Sequence, residues 1–181
     1  MRSRLIAVLV AAAAAAACSD AKAPTQPESF SVPLHVEAAQ KPGTPENHRA
    51  HLNGANEVPA RDTLAQGQAI FQLNADGTEL RFRLIVANIE NVTQAHIHCC
   101  VNTEGNAGVV AWLYPAGPPA QLIPGRTQGT LAEGVITQAS LVGSLAGSPL
   151  SVLVDRINSG LAYVNVHTSQ FPPGEIRGQI E

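Results

Sequence analysis

From about His48 onward the chain alternates short β-branched and apolar runs with polar, glycine-containing turns, the period-two texture of half-buried strands. Gly67 to Leu73 and Leu80 to Val86 flank Asn74-Ala75-Asp76-Gly77, a polar turn ending in glycine, and predict a hairpin. Further strands are predicted at Val92 to Cys99, Gly108 to Tyr114, Leu161 to Thr168 and Glu175 to Ile180. Between Tyr114 and Leu141 the spacing is less regular, and one or two weak strands are expected around Thr127 to Leu131 and Gly134 to Leu141. One segment has helical period. Leu150, Leu153, Val154 and Ile157 form a stripe, Ser148 stands where a cap belongs, Pro149 suits the first helical position and Gly160 can end the run. The expectation is a short helix over about 148–159, its stripe packed on a sheet. The pattern predicts an all-β domain over 48–181, a β-sandwich or barrel with that one helix.

The first residues follow another logic. Arg2 and Arg4 form a positive n-region, and Leu5 to Ala17 is an uninterrupted apolar stretch ending in small residues, as in a signal peptide covering 1–17. A membrane span needs ~20 apolar residues, and Ser19, Asp20 and Lys22 end this run short of that. Cys18 follows three alanines in a way that resembles a bacterial lipobox, so lipidation of Cys18 is expected; ordinary cleavage leaving a free thiol is the alternative. Ser19 after the cysteine points to the outer membrane or the outer face of a single membrane, and the alternative cleavage to a periplasmic or secreted protein. Residues 18–47 are rich in proline and poor in large apolar side chains, a composition for a tether with a reach of ~30 Å, in which Phe30 to Val36 is the one stretch with strand character. Net charge is −3 and no Lys/Arg run follows the n-region, so nucleic acid is excluded as a partner. The expected partners are the membrane, through the lipid, and an extracellular protein.

Candidate chemistry gathers on two strands. In Gln94-Ala95-His96-Ile97-His98, alternation sets His96 and His98 on one face and Ala95 and Ile97 on the other. In Tyr163-Val164-Asn165-Val166-His167, Tyr163, Asn165 and His167 share a face. If these strands pair, His96, His98 and His167 converge, and three neutral imidazoles make a site for copper or zinc, with the affinity order favouring Cu(II) over Zn(II). His35, His48 and His51 are expected to be ordinary solvated or hydrogen-bonded residues. Cys99 and Cys100 leave two fates open. A vicinal disulfide would shape the turn into Val101 to Gly105; alternatively, continued alternation would bring a Cys100 thiolate onto the histidine face as a soft ligand. There is no nucleophile elbow, phosphate-binding glycine loop or His-Glu-x-x-His signature, and no residue is assigned a catalytic role.

Four blocks, in order, resemble the CHRD domain family: Leu52 to Pro59, Ala95 to His98, Ala162 to Thr168 and Pro173 to Ile180. The resemblance spans Ala50 to Glu181 and implies an immunoglobulin-like or barrel-like β fold, without implying an activity. A weaker resemblance links His96, His98 and His167 to the copper-ligand pattern of Cu/Zn superoxide dismutase, and sets Arg177 near that enzyme's anion-guiding arginine; no bridging histidine, zinc subsite or charged guiding loop accompanies it. Three functions follow as expectations: a binding module holding metal or a protein partner, a copper-dependent redox enzyme resembling a reduced dismutase, and a structural domain that binds no metal.

Overall fold

In the computed structural model, the described residues are 46–181. The signal peptide, Cys18, nearly all of the tether, the Phe30 to Val36 stretch and His35 lie outside them. The elements are β1 (Asn47–Asn53), β2 (Gln66–Leu73), β3 (Leu80–Cys99), β4 (Gly108–Tyr114), β5 (Ile123–Ile136), α1 (Leu150–Asn158), β6 (Ala162–Thr168) and β7 (Ile176–Gln179).

Strand β3 organises the rest. The strands expected at Leu80 to Val86 and Val92 to Cys99 are two halves of one 20-residue strand. Its pairing shifts register between Val86 and Ile89 and again between Glu90 and Val92. Asn88 and Asn91 there take positive φ of 56° and 54°, a region that asparagine enters more readily than most residues. Asn91 Oδ1 accepts the Gly125 N–H at 2.9 Å, and Arg126 donates to Asn88 Oδ1, so the bend is tied to β5. The first half of β3 pairs with β2 and β5, the second with β4 and β6.

Strands β1, β2, β3, β6 and β7 close into an antiparallel barrel in the order β2-β1-β7-β6-β3 and back to β2, with β4 and β5 outside it along β3. The β2–β3 hairpin is as the turn sequence implies: Asn74 Oδ1 accepts from the N–H groups of Thr78 and Glu79 at 2.9 and 3.1 Å. One set of alternating positions fills the barrel, including Leu52, Phe71, Leu84, Ile97, Val164 and Ile176. A Cβ on Gly67 would press on the Ile176 and Leu52 side chains at 3.2 and 3.3 Å, so glycine lets β2 approach there.

Three local expectations are corrected. The weak strands at Thr127 to Leu131 and Gly134 to Leu141 are one strand, β5, followed by a 3-10 turn at Gln138–Ser140; only Ile136 of β5 is buried, so no alternation marked it. Ser148 does not cap α1. Its N–H donates to Leu145 in the preceding turn, and Pro149, in extended conformation, holds the cap position without a side-chain bond. Strand β1 was not expected, because its inward residues, His48, Ala50 and Leu52, carry little apolar bulk. The stripe of α1 is buried at all four positions, and Gly160 follows the helix with φ of 67°.

Candidate metal centre

All seven residues of β6 are buried, which requires cover on both faces. The barrel interior covers Val164 and Val166. Tyr163, Asn165 and His167 point the other way, beside His96 and His98 of β3 and Arg177 of β7, since His98 pairs with Tyr163, His96 with Asn165, and Asn165 with Arg177. Chain segments on either side of the matching strands cover this face. Asn165 Nδ2 donates to Glu57 Oε1 at 2.8 Å, and Arg177 donates to the carbonyls of Asn102 and Gly105 at 3.0 and 2.8 Å and to Asn106 Oδ1 at 3.3 Å. The histidine face is therefore the outer face of the barrel, yet not a solvent face: His96, His98 and His167 are 2, 8 and 6% exposed.

The three rings converge. His96, His98 and His167 each offer a ligand nitrogen, and these nitrogens all lie within 4.8 Å of one another. Around a single ion with bonds of about 2 Å, three nitrogens stand about 3.3 to 3.5 Å apart, so the set needs to draw in by roughly an ångström. His96 Nδ1 and His167 Nε2 already face each other at 3.1 Å.

Backbone carbonyls select the tautomers. His98 Nδ1 donates to Ala107 O at 2.9 Å and His167 Nδ1 to Pro172 O at 2.8 Å, which leaves both Nε2 atoms as lone-pair acceptors. In the neutral ring His96 Nδ1 then carries the proton toward His167. Binding an ion through His96 Nδ1 would require that proton to move to Nε2, which is buried without an acceptor, and would end the bond to His167. Among the described residues, six buried side-chain polar atoms lack a partner, and four belong to this face: His96 Nε2, His98 Nε2, Asn165 Oδ1 and Gln179 Oε1. Of these, His98 Nε2 is a buried lone pair that belongs to the converging set.

The surroundings fix the rings. Trp112 of β4 stands edge-on to His96, ring centroids 4.3 Å apart. Tyr163 stacks on His98, and the Arg177 guanidinium carbon lies 3.5 Å from the Tyr163 ring centroid. Burial, reinforced by His167 and His98, holds the His96 pKa down to about 3. Burial likewise lowers His98 to about 4 against its bond to Ala107, and lowers His167 against its bond to Pro172. All three are neutral at pH 7, the form that ligates metal. Burial raises Glu57 to about 7 against the pull of Arg177, Arg61 and Asn165.

Cys99 and Cys100 are joined by a disulfide across a cis peptide, and Cys100 is not among the residues that converge with the histidines. His48 is buried with its Nε2 3.6 Å from Glu46, and His51 is exposed. Arg177 is 1% exposed and spends its donors on loop oxygens, so it is not presented to solvent as a guiding cation would be. Sequence reasoning missed Trp112 and Glu57. The first follows from alternation along β4, whereas the second sits in a turn whose fold position no periodicity reports.

The model of the CHRD domain family matches residues 48–180 of the chain. No curated protein and no solved structure matches it.

Proposed function

We propose, for a chain that belongs to the CHRD domain family, that its barrel is a binding module which holds one copper or zinc ion through His96 Nδ1, His98 Nε2 and His167 Nε2. The observation that carries this reading is the pair of backbone carbonyls, Ala107 O and Pro172 O, that turn two buried Nε2 lone pairs toward the third ring. Such carbonyls orient metal-bound histidines generally. Bound there, the ion would supply Lewis acidity or, for copper, a one-electron couple. The same reading places the module outside the cytoplasm, tethered through an acylated Cys18 and a proline-rich spacer. The signal-like first 17 residues support this placement.

Elemental analysis of the protein purified from its native compartment tests the site. About one equivalent of copper or zinc is expected, lost on His167→Ala. A superoxide assay on the loaded form tests the redox alternative. Mass spectrometry of the mature N-terminus tests the tether, and Cys18→Ala is expected to release the protein from membranes. A structural reading without metal draws support from one observation, the His96–His167 hydrogen bond, which together with Pro172 O satisfies both ring nitrogens of His167 without an ion. A metal-free protein from native material would establish it.

A further inference from the structure

Charge, more than donor type, separates the ions this site can hold. Its ligands are three neutral imidazoles, 2 to 8% exposed, and among the described residues no carboxylate joins the group. The buried carboxylates nearby are committed elsewhere: Glu57 to Asn165, and Glu175 to the hydroxyls of Thr63 and Thr168 at 2.6 and 2.7 Å. A cation, Arg177, stands one tyrosine ring away from His98, and Glu57 on Asn165 offsets it only in part, because burial favours its neutral form. A divalent ion would thus enter a dry, neutral pocket beside a buried positive charge.

The cost of moving an ion from water to such a medium rises with the square of its charge, so a dication is penalised about four times as heavily as a monocation of similar size. Coordination number acts in the same direction. Zn(II) held by three histidines completes its tetrahedron with a water, and Cu(II) with nitrogen donors prefers a tetragonal set, so each needs a further ligand in a pocket whose rings are only 2 to 8% exposed. Among the described residues only three ligating side chains converge. Cu(I) has a filled d shell, no tetragonal preference, and accepts three nitrogens in a plane. We infer that the three-histidine site is selective for Cu(I) over both Zn(II) and Cu(II), whereas nitrogen donors in an open, solvated site place Cu(II) first among the divalent ions. This rests on the metal-binding reading above and names the ion.

The experiment is a set of competition titrations on the full mature chain. Copper kept monovalent with ascorbate, which spares the Cys99–Cys100 disulfide, is titrated against a chromophoric Cu(I) chelator. Zn(II) and Cu(II) are titrated in separate arms, and a thiol assay confirms that the disulfide is intact. Cu(I) is expected to bind at least roughly a thousandfold more tightly than Zn(II). X-ray absorption of the Cu(I) form is expected to show three nitrogen neighbours at about 2 Å and no sulfur. His98→Ala and His167→Ala should each weaken Cu(I) binding by a hundredfold or more. Arg177→Gln should narrow the preference by strengthening Zn(II) binding relative to Cu(I). Zn(II) or Cu(II) binding as tightly as Cu(I) overturns the selectivity and leaves the metal site standing. Unchanged Cu(I) affinity in His167→Ala, or a sulfur neighbour, overturns the assignment of the ion to these rings. Absence of binding by all three ions removes the site itself.

Discussion

The ring of Tyr163 lies flat on the ring of His98, planes 4° apart and centroids 4.8 Å from each other. The same tyrosine accepts the Ala107 N–H on its hydroxyl at 3.1 Å, and Ala107 O accepts His98 Nδ1–H. Histidine, tyrosine and the 107 peptide thus form a closed circuit in which each fixes the other two. A strand residue and a loop peptide hold the imidazole in one plane and one tautomer.

Breaking the circuit at the hydroxyl is the mildest perturbation. Tyr163→Phe keeps the stacked ring but leaves the Ala107 N–H without its acceptor, a loss of about 1 to 3 kcal/mol. Tyr163→Ala also empties a buried ring site, and about 3 to 5 kcal/mol is expected. Denaturant unfolding of both variants measures the difference. A phenylalanine variant as stable as the parent would show that the loop does not depend on this bond.

Arg177 serves the same loop from below. Its guanidinium binds oxygens at Asn102, Gly105 and Asn106, a fork geometry that lysine cannot reproduce. Arg177→Lys is therefore expected to cost about 1 to 3 kcal/mol despite conserving charge. Amide exchange across 101–107 should accelerate in this variant while the barrel strands stay protected. Uniform acceleration throughout the domain would refute a local role.

The alternation of Ala95-His96-Ile97-His98 and Val164-Asn165-Val166-His167 made the shared histidine face legible, because side-chain direction in a strand has a fixed period. Its burial was not legible. Alternation says which way His96 points, but what lies over it depends on Glu57, Ala107 and Pro172, contributed by turns that have no period. The hairpin at Asn74 to Gly77 and the helix stripe of Leu150 to Ile157 were readable for the same local reasons. Strand β5 was not, since an outer strand with nearly every side chain exposed loses the polar-apolar contrast that marks inner ones.

The barrel interior is apolar and separate from the histidine face, so the metal-free domain is expected to unfold cooperatively after chelation. An ion that binds only the folded form, at a hundred times its dissociation constant, adds ~2.7 kcal/mol. His96→Ala should abolish that gain. Because His96 is buried and bonded to His167, the substitution should also lower the apo stability by about 1 to 3 kcal/mol. Thermal melts with and without ion, on parent and variant, separate the two effects. A parent melt that no ion shifts would favour the structural reading.

Acid should destabilise the metal-free domain in a defined window. The three buried imidazoles have folded pKa values below 6.5, at about 3 for His96 and about 4 for His98, with His167 lowered as well. Between those values and 6.5 the unfolded chain binds protons that the folded chain refuses, so stability rises with pH there and is lost as pH falls toward 4. Glu57 acts oppositely. Its folded pKa stands at about 7 against 4.5, so the folded state holds a proton the unfolded state releases, and its contribution fades as pH rises through 7. At pH 7 three unfolded imidazoles still hold about 0.7 proton between them, against about half a proton on folded Glu57, so the histidines outweigh the carboxyl through neutrality and the two opposing slopes nearly cancel toward pH 8. Apo stability is therefore expected to climb most steeply between about pH 4 and 6.5 and to level off into a plateau by about pH 8. Glu57→Gln, which keeps a partner for Asn165 without the titrating proton, should steepen the rise between about pH 4.5 and 7 and leave the acid limb in place. Denaturant midpoints from pH 4 to 8 decide it: an acid limb that is flat between 4 and 6.5 would mean that the rings are protonated within the fold, and the neutral triad would be lost as a metal site.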